Sequence, residues 1–385
     1  MPNNQEDYFD VIIAGAGPSG SSCAYTLGQA GFKVALIDKA EFPRVKVCGD
    51  ALTYRAVQLI EEIFPNFMPQ FLDFENRSKV NSARFISRSG NDAFLRWNKS
   101  TYNCTRADLD TLLLNEALKQ TNVSFFKETR ISDVEILDTH VEITTNKGVF
   151  KGNIVVACDG AQSVIARKIQ KNSIDRNHHS SAVRAYFQGV KEVEKGCIEF
   201  YFTKKFIPSY FWIFPVNKTD WNVGFIKMPS PFSKKNLNIR EAFFEVIEDT
   251  PELKARFKDA TMIGKLEGFG LPLGSKKQPI SGHRFLLCGD AASLIDPMWG
   301  NGIDNGLESG RIAANHIIQH HSDNKFTKET NTNYDKLVYA KLRKELRFNT
   351  RLLRIYSIFP WFIDAGIFLF SKKNPLFFVF KKFIS

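Results

Sequence analysis

The chain has 385 residues, more than one compact core usually holds, which suits two domains or one large fold with insertions. Apolar residues make up 43% of the chain and charged residues 24%, proportions that exclude a disordered, collagen-like or coiled-coil protein. Lys and Arg number 52 against 41 for Asp and Glu, so the net charge is +11.

The N-terminal region is predicted to form a βαβ unit. Residues 10–14 and 33–37 have the composition of buried parallel strands, and residues 21–30 are typical of a helix rich in small side chains. Gly15-Ala16-Gly17-Pro18-Ser19-Gly20 joins the first strand to the helix, and Asp38 follows the second strand. This arrangement is typical of a dinucleotide-binding fold.

Each residue type in this unit has a physical reason to occur at its position in a dinucleotide-binding site. Gly15 permits the tight turn, Gly17 lets a pyrophosphate approach the backbone, and Gly20 lets the helix pack closely on the strand. The helix N-terminus offers free N–H groups and partial positive charge to phosphates. Asp38 is placed to bind both hydroxyls of the adenosine ribose, and a carboxylate there disfavours the 2′-phosphate of NADP. The unit therefore predicts FAD or NAD.

Two later motifs favour FAD. Asp159-Gly160 follows a predicted buried strand at residues 153–157 and resembles the Asp-Gly motif of flavin hydroxylase-type proteins. Gly289-Asp290-Ala291-Ala292, with residues 297–303 behind it, resembles the second flavin motif of the same proteins. Three motifs in this order predict a flavoprotein of the p-hydroxybenzoate hydroxylase-like superfamily.

The resemblance also implies roles within the second motif. Asp290 would hold a ribityl hydroxyl, and the backbone of residues 300–303 would approach the pyrimidine end of the flavin ring. A helix from Asp304 onward can stabilise negative charge on a reduced flavin through its N-terminus.

Patterns between these motifs indicate the rest of the fold. Residues 105–119 are predicted to be a helix, and residues 181–273 alternate like antiparallel strands around a polar helix at 239–257. Residues 284–288 return to buried-strand composition. We therefore expect an α/β fold, a Rossmann-like FAD-binding domain with an inserted antiparallel β-sheet substrate domain and a C-terminal helical tail. The predicted FAD-binding domain comprises 1–75, 99–175 and 280–325, the substrate domain 76–98 and 176–279, and the tail 326–385.

Two further motifs resemble the geranylgeranyl reductases. Phe42-Pro43-Arg44-Val45-Lys46-Val47-Cys48-Gly49-Asp50-Ala51-Leu52-Thr53 is similar to their Lys-x-Cys-Gly loop, with Ala51 where the family usually has Gly. Pro208-Ser209-Tyr210-Phe211-Trp212-Ile213-Phe214-Pro215 matches their P-x-x-Y-x-W-x-F-P box at every defined position. Arg106 fits their flavin-contacting arginine. The resemblance covers roughly residues 8–315.

Motifs and resemblance together give the expected site. The residues expected to bind FAD are Gly15, Gly17, Ser19, Gly20, Asp38, Lys39, Arg44, Cys48, Gly49, Arg106, Ile131, Asp159, Gly160, Asp290, Gly300, Gly302 and Ile303. The expected catalytic residues are Cys48, Tyr210 and Trp212. No metal ligand is expected, since His316, His320 and His321 have helical spacing but no evident acidic or Cys partner.

The resemblance implies FAD-dependent hydrogenation of isolated C=C bonds in isoprenoid chains. An unconjugated alkene accepts hydride poorly unless positive charge develops on one carbon, and a dry aromatic pocket stabilises such charge. Tyr210 and Trp212 lie two apart on a predicted strand, so they face the same side, and Phe214 extends that wall. The alternative is that these rings form one more apolar stripe of the core.

Several roles stay open at this point. Cys48 is a proton donor, a packing residue beside the flavin or a redox-sensitive thiol. Arg44 and Lys46 contact flavin phosphate or substrate diphosphate, or are solvated loop charges. The isoprenoid is not specified, nor is the external electron donor, which is NAD(P)H or a ferredoxin-like protein.

Other functions fit the same fold. A FAD-dependent monooxygenase acting on a hydrophobic substrate is the main alternative. Flavin halogenases carry W-x-W-x-I-P, and here Tyr210 and Phe214 stand in place of the first Trp and the Ile. A non-catalytic lipid-binding or electron-transfer flavoprotein is a third possibility.

The tail is basic and rich in Phe. Residues 341–385 contain ten Lys and Arg against two Asp and Glu, leaving only +3 on the preceding 340 residues. Residues 351–370 are apolar but broken by Pro360 and Asp364, and a short apolar segment follows at 376–383. These features predict peripheral membrane contact through 341–385, with a prenyl lipid as ligand and no nucleic acid partner. Alternatively, the tail closes over the substrate cavity of a soluble protein.

The expected location is cytoplasmic, at the inner face of the membrane. Six scattered cysteines without a CxxC pair suit a reducing compartment. The polar N-terminus is not a signal peptide, and no apolar run reaches the roughly 18 residues that a membrane span needs.

Overall fold

The computed structural model describes residues 8–170, 175–230, 237–322 and 326–371. Over these residues the chain forms two eight-stranded sheets, ten α-helices and two short 3-10 helices, at Arg176–His178 and Gly289–Ala292. The strands are β1 (Tyr8–Ala14), β2 (Val34–Ile37), β3 (Ala51–Leu52), β4 (Arg77–Ile86), β5 (Asp92–Cys104), β6 (Val123–Phe126), β7 (Ile131–Ile136), β8 (Val141–Thr145), β9 (Gly148–Ala157), β10 (His179–Gln188), β11 (Cys197–Phe202), β12 (Ser209–Pro215), β13 (Asp220–Lys227), β14 (Thr261–Pro272), β15 (Ser281–Gly282) and β16 (Phe285–Leu287). The α-helices are α1 (Pro18–Gln29), α2 (Tyr54–Ile63), α3 (Phe67–Asp73), α4 (Arg106–Leu118), α5 (Val164–Gln170), α6 (Ile239–Asp249), α7 (Pro251–Phe257), α8 (Ile303–His320), α9 (Lys328–Ile358) and α10 (Trp361–Leu369).

The first sheet has the strand order β15-β16-β9-β1-β2-β6. From β16 to β6 its neighbouring strands are parallel, and the β7–β8 hairpin joins through β9. Helices α1 and α8 pack together, and α1 also contacts β1 and β2. Residues 11–14 of β1 and all of β2 are accordingly apolar and buried. Parallel strands end at one edge, which brings the loops after β1, β2, β9 and β16 together there.

The second sheet has the order β14-β10-β13-β12-β11-β4-β5-β3, and its pairs are antiparallel except β11 with β4. Strand β12 shows how the two faces of this sheet differ. Phe211 and Ile213 pack with α6 residues in one apolar cluster, whereas Tyr210, Trp212 and Phe214 belong to a cluster on the opposite face. The predicted α/β fold with two sheet regions and a helical C-terminal region is confirmed.

One expectation about element boundaries is wrong. The helix predicted at 239–257 is two helices, because Thr250 is extended and Pro251 begins α7. The predicted domain boundary between residues 98 and 99 lies within β5, which pairs with β4 along most of its length, and the division into domains stays a prediction.

Helix α9 runs past both sheets. The Tyr334 hydroxyl donates to Leu287 O of the first sheet, 2.7 Å away, and the Tyr356 hydroxyl donates to Ser209 O of the second, 2.9 Å away. Among the described helices, none alone has the length and apolar composition of a membrane span; α9 and α10 meet that test only as a pair bent by 110°. The predicted apolar segment at 376–383 lies outside the described residues.

Candidate FAD and substrate site

The phosphate-binding loop is held closed by contacts that only glycine permits. Gly15 has φ +95°, and a Cβ there would lie 2.4 Å from Cys158 O at the end of β9. A Cβ on Gly20 would lie 1.8 Å from Gly15 O, so α1 packs directly against the loop. The N-terminus of α1 consequently opens at the strand edge where a pyrophosphate is expected.

Asp38 stands at the end of β2 beside this loop. Its Oδ2 accepts a hydrogen bond from Ala16 N at 2.8 Å, and its Oδ1 accepts one from Ala40 N at 2.9 Å. Each carboxylate oxygen has a second lone pair, so the side chain can still accept hydrogen bonds from ribose hydroxyls.

Two arginines share one buried carboxylate beside the glycine loop. Arg106 Nε and Nη2 donate to the two oxygens of Asp110 at 2.7 and 2.8 Å, and Arg44 Nη2 lies 3.1 Å from Asp110 Oδ2. A Cβ on Gly17 would be 3.3 Å from Arg44 Nη2 and 3.8 Å from Arg106 Nη2. Although burial opposes it, Asp110 raises the pKa of Arg106 above its usual value. Arg44 is therefore a held cation facing the loop, not a solvated charge.

The loop before β3 carries Cys48 and a buried acid. Cys48 and Arg106 both line the cavity at this loop. Asp50 has φ +63° and is fully buried, and its Oδ2 accepts from the Tyr186 hydroxyl at 2.6 Å and from Asn222 Nδ2 at 2.7 Å. Burial raises the pKa of Asp50 despite these hydrogen bonds.

Lys46 bridges this loop to both sheets. Its Nζ lies 3.8 Å from Asp290 Oδ2 and 3.5 Å from the centre of the Phe269 ring. Burial lowers the pKa of Lys46, against the opposing effect of Asp290. Lys46 is thus paired within the site, and the solvated-charge alternative does not describe it.

The rings predicted to form a wall do face one cavity. The Tyr210 hydroxyl donates to Trp299 O at 2.6 Å and Trp212 Nε1 donates to Asn222 Oδ1 at 2.9 Å, so both polar atoms are engaged within the protein. The Trp212 ring occupies space left by Gly224, where a Cβ would lie 2.0 Å from Trp212 Cζ2. The wall is therefore apolar in character and fixed in position.

The loop after the second flavin motif is fastened by Asp296. Its Oδ1 accepts from Met298 N at 2.9 Å and Trp299 N at 2.7 Å, and its Oδ2 accepts from Asn349 Nδ2 of α9 at 2.5 Å. Burial raises the pKa of Asp296 to about 6. The loop leads directly into the N-terminus of α8 at Ile303.

These parts enclose one cavity of about 670 Å³, a size usual for cofactor and ligand sites. It is lined by nearly all the predicted residues, namely Gly15, Gly17, Ser19, Asp38, Lys39, Arg44, Cys48, Gly49, Arg106, Ile131, Asp159, Gly160, Asp290, Gly300, Gly302, Ile303, Tyr210 and Trp212. Gly20 does not line it and serves close packing instead. Their individual roles stay predictions.

Three residues that sequence reasoning missed hold this site together. Asp110 follows Arg106 by four positions on a helix, a spacing that marks an ion pair. Asp50 stands next to the Cys-Gly pair. Asn222 gives no sequence signal, although its Nδ2 also donates to Cys48 O at 2.7 Å.

The histidine cluster has an ordinary structural role. His316 Nε2 lies 3.0 Å from Asn331 Oδ1, and its ring packs against His320. Within the described residues, no group of three His, Cys, Asp or Glu side chains is arranged to hold a metal ion.

Comparison with known proteins shows the family. A model of the FAD binding domain family matches residues 8–323, and the chain belongs to that family. It is 29% identical over 355 residues to a digeranylgeranylglycerophospholipid reductase of Methanocaldococcus jannaschii, covering 89% of this chain and 86% of the relative. It is 28% identical over 325 residues to a menaquinone reductase of Mycolicibacterium smegmatis, covering 79% and 75%. It is 26% identical over 402 residues to conditioned medium factor receptor 1 of Dictyostelium discoideum, covering 98% and 77%.

Solved structures share the fold. A geranylgeranyl bacteriochlorophyll reductase-like protein of Thermoplasma acidophilum superimposes with a TM-score of 0.82 at 23% identity, covering 95% of this chain and 92% of that one. A flavin-dependent brominase gives 0.78 at 23% identity, covering 98% and 92%. These matches confirm the resemblance to geranylgeranyl reductases, and the chain is a FAD-dependent oxidoreductase by family.

The cavity fits FAD on its own geometry. The Oδ1 atom of Asp159 is buried at the cavity wall without a partner among the described residues, and a ligand hydroxyl would satisfy it. The two arginines beside Gly17 suit a pyrophosphate. FAD is the cofactor, with Asp38, Asp159 and Asp290 available to its hydroxyls and Arg44 and Arg106 to its phosphates.

Proposed function

We propose that this chain saturates C=C bonds of an isoprenoid lipid. The observation that carries this proposal is the contact between the aromatic wall and the glycine loops of the FAD cavity. A Cβ on Gly49 would lie 3.4 Å from Phe214 Cε2, and one on Gly300 would lie 3.4 Å from Ile226 Cδ1 and 3.8 Å from the Tyr210 hydroxyl. Substrate against this wall would thus lie beside the flavin-binding loops.

The wall suits an alkene better than a polar substrate. Its members in the cavity are Tyr210, Trp212, Phe214, Ile226, Leu271 and Trp299. Since the hydroxyl of Tyr210 and the indole N–H of Trp212 already donate within the protein, this part of the cavity excludes water rather than competing for polar groups. The aromatic rings can also stabilise positive charge that develops on a substrate carbon.

Saturating a double bond requires a hydride and a proton. FAD, when bound and reduced by an external donor, supplies the hydride. We assign the proton to the thiol of Cys48, since Cys48 lines the same cavity as the aromatic wall and Arg106. Asn222 Nδ2 donates to Cys48 O at 2.7 Å and so holds the backbone of Cys48 in place.

The relatives support a lipid substrate through their names. One is named for a digeranylgeranylglycerophospholipid and another for menaquinone, and both compounds carry isoprenoid chains. Either lipid, or a prenyl diphosphate, is a suitable first substrate for testing.

Mass spectrometry of lipids after incubation with chemically reduced, FAD-loaded protein tests the proposal. We expect products heavier by pairs of hydrogens without oxygen, and none with the apoprotein. Products heavier by oxygen, formed only in air, would instead establish the monooxygenase. Flavin reoxidation with every lipid unchanged would indicate a non-catalytic flavoprotein.

A further inference from the structure

The C-terminal helices expose an apolar surface. Near the junction of α9 and α10, the side chains of Phe348, Ile355, Ile358, Phe359, Trp361 and Phe362 are exposed; we call these six the C-terminal face. Trp361 is 61% exposed and Phe348 65%. Large apolar side chains grouped in this way on a surface mark an interaction site.

Basic side chains share this surface. Lys344, Arg347, Arg351 and Arg354 are exposed on α9, and spacings of three and four place them on the same side of the helix as Phe348. The acids nearby are paired, since Glu345 lies 3.2 Å from Arg55 Nη1 and Asp364 accepts from Arg88 at 2.5 and 2.9 Å. The surface is therefore cationic as well as apolar.

The inner side of the same helices packs against the substrate wall. Leu353, Tyr356 and Ile367 belong to the apolar cluster that contains Tyr210 and Trp212. The paired carboxylate of Asp364 fixes α10 to the turn between β4 and β5. One layer of helix therefore separates the C-terminal face from the aromatic wall.

We propose that the C-terminal face docks on the surface of an anionic lipid bilayer. Apolar side chains would enter the interfacial region while the arginines contact acidic headgroups. A second copy of this chain is a poorer partner, because pairing two such faces would bring like charges together. The inference rests on the proposed function only in that the docked bilayer would hold the isoprenoid substrate.

Flotation of the purified full chain with lipid vesicles tests the docking. We expect binding to vesicles of phosphatidylcholine mixed with phosphatidylglycerol, and weaker binding to phosphatidylcholine alone. Trp361→Glu combined with Phe362→Glu should reduce binding at least about tenfold. Arg351→Gln combined with Arg354→Gln should cost about fivefold per charge on the anionic vesicles only.

Phe244→Glu is the matched control, since Phe244 is a half-exposed aromatic residue on α6, which packs on the other face of the second sheet. It should bind vesicles like the unmodified chain. Docking by this face is overturned if the Trp361/Phe362 variant binds equally well, if the unmodified chain binds neither vesicle, or if the face instead forms dimers that the variant dissociates.

Reduction of detergent-dispersed lipid separates this inference from the proposed function. The Trp361/Phe362 variant should keep that activity and its FAD content while losing vesicle binding. If no lipid is reduced yet the vesicle results hold, the function fails and the docking stands. Lost activity in detergent with lost FAD would show that the variant is misfolded, and the arginine variants then decide.

Discussion

Asp110 is completely buried and serves two arginines at once. A buried carboxylate of this kind balances charge that would otherwise be stranded in the protein interior. The site is thus built to keep two cations beside the glycine loop whether or not an anionic ligand is present.

Replacing Asp110 by Asn should destabilise the apoprotein by about 3–5 kcal/mol, because Arg106 loses its counterion and Arg44 keeps only the more distant Asp38, 4.0 Å away. Saturating FAD should recover part of this loss, since its pyrophosphate can take over the neutralising role. Denaturant unfolding with and without FAD measures both effects.

Glu62→Gln is the control for this prediction, since Glu62 pairs with Arg311 on the surface and should matter little. An equal loss with and without FAD would mean that the arginines do not face the cofactor.

Cys48 is the proposed proton source, and Cys48→Ala should lower the rate of lipid reduction by about 10²–10⁴. FAD content and the flavin absorption spectrum should be retained, since Ala occupies less space. Cys104→Ala changes a buried thiol that does not line the cavity and should leave the rate nearly unchanged. Full activity in the Cys48 variant would place the proton source elsewhere.

For single residues, the sequence predicted which side chains belong to the site better than it predicted which side chains they contact. The glycines, Asp38 and Cys48 stand in short motifs whose chemistry is local. Asn222 hydrogen-bonds Cys48, which lies 174 positions away in the chain. Nothing in the sequence of β13 indicates that this position requires a polar residue. Contacts of that kind depend on how the two sheets meet.

Among the elements, β12 and β13 set the position of the wall. Trp212 on β12 pairs with Gly224 on β13, and the absent side chain leaves room for the indole. The strand pairing therefore determines the ring position as much as the box motif does.

Gly224→Ala should displace the Trp212 ring and cost about 1–3 kcal/mol in stability through overpacking. The same displacement should raise KM for the lipid. Gly268→Ala on β14 is the matched control, because its nearest neighbour would be 3.6 Å away, an ordinary contact. Unchanged KM in the Gly224 variant would argue that the wall does not contact substrate.

Helices and strands were predicted correctly where burial makes the sequence uniformly apolar, and less well where polar residues interrupt the pattern. Residues 11–14 of β1 are uniformly apolar and buried, as expected of a parallel strand covered on both faces. Strand β5 was not predicted, since Arg96, Asn98 and Lys99 interrupt its alternation. Pro251 indicates the start of a new helix, but the amphipathic pattern over residues 239–257 favoured one continuous helix.

For the whole molecule, Asp296 marks the place where the flavin-side loop, the second sheet and α9 come together. Its bond to Asn349 joins α9 to the loop that contacts Tyr210 through Trp299. A change in the protonation state of Asp296 therefore affects the flavin-side loop, the second sheet and α9.

The pKa of Asp296 is about 6 in the folded protein against an ordinary 3.8, so folding favours its protonated form. That contribution is present at low pH and is lost as pH rises through about 6. Asp296→Asn lacks it, so the stability of the variant relative to the unmodified chain should rise by about 2 kcal/mol between pH 4 and pH 7.

Urea unfolding at these two pH values with saturating FAD measures the difference. Asp133→Asn changes an exposed carboxylate whose pKa is lowered by its hydrogen bond to Lys168, so this variant should show no rise in relative stability over the same pH range. A difference that stays constant with pH would mean that Asp296 is ionised throughout.

The arrangement of strands also fixes an order of synthesis. Every strand of the second sheet lies between residues 51 and 272, whereas β16 and the cavity loop up to Ile303 come later. On the ribosome, the second sheet is therefore exposed before the FAD cavity has its last wall. The residues of its apolar core beneath α6 and α7 are thus all made before the cavity is complete, and FAD has its full set of contacts only after residue 303 has followed.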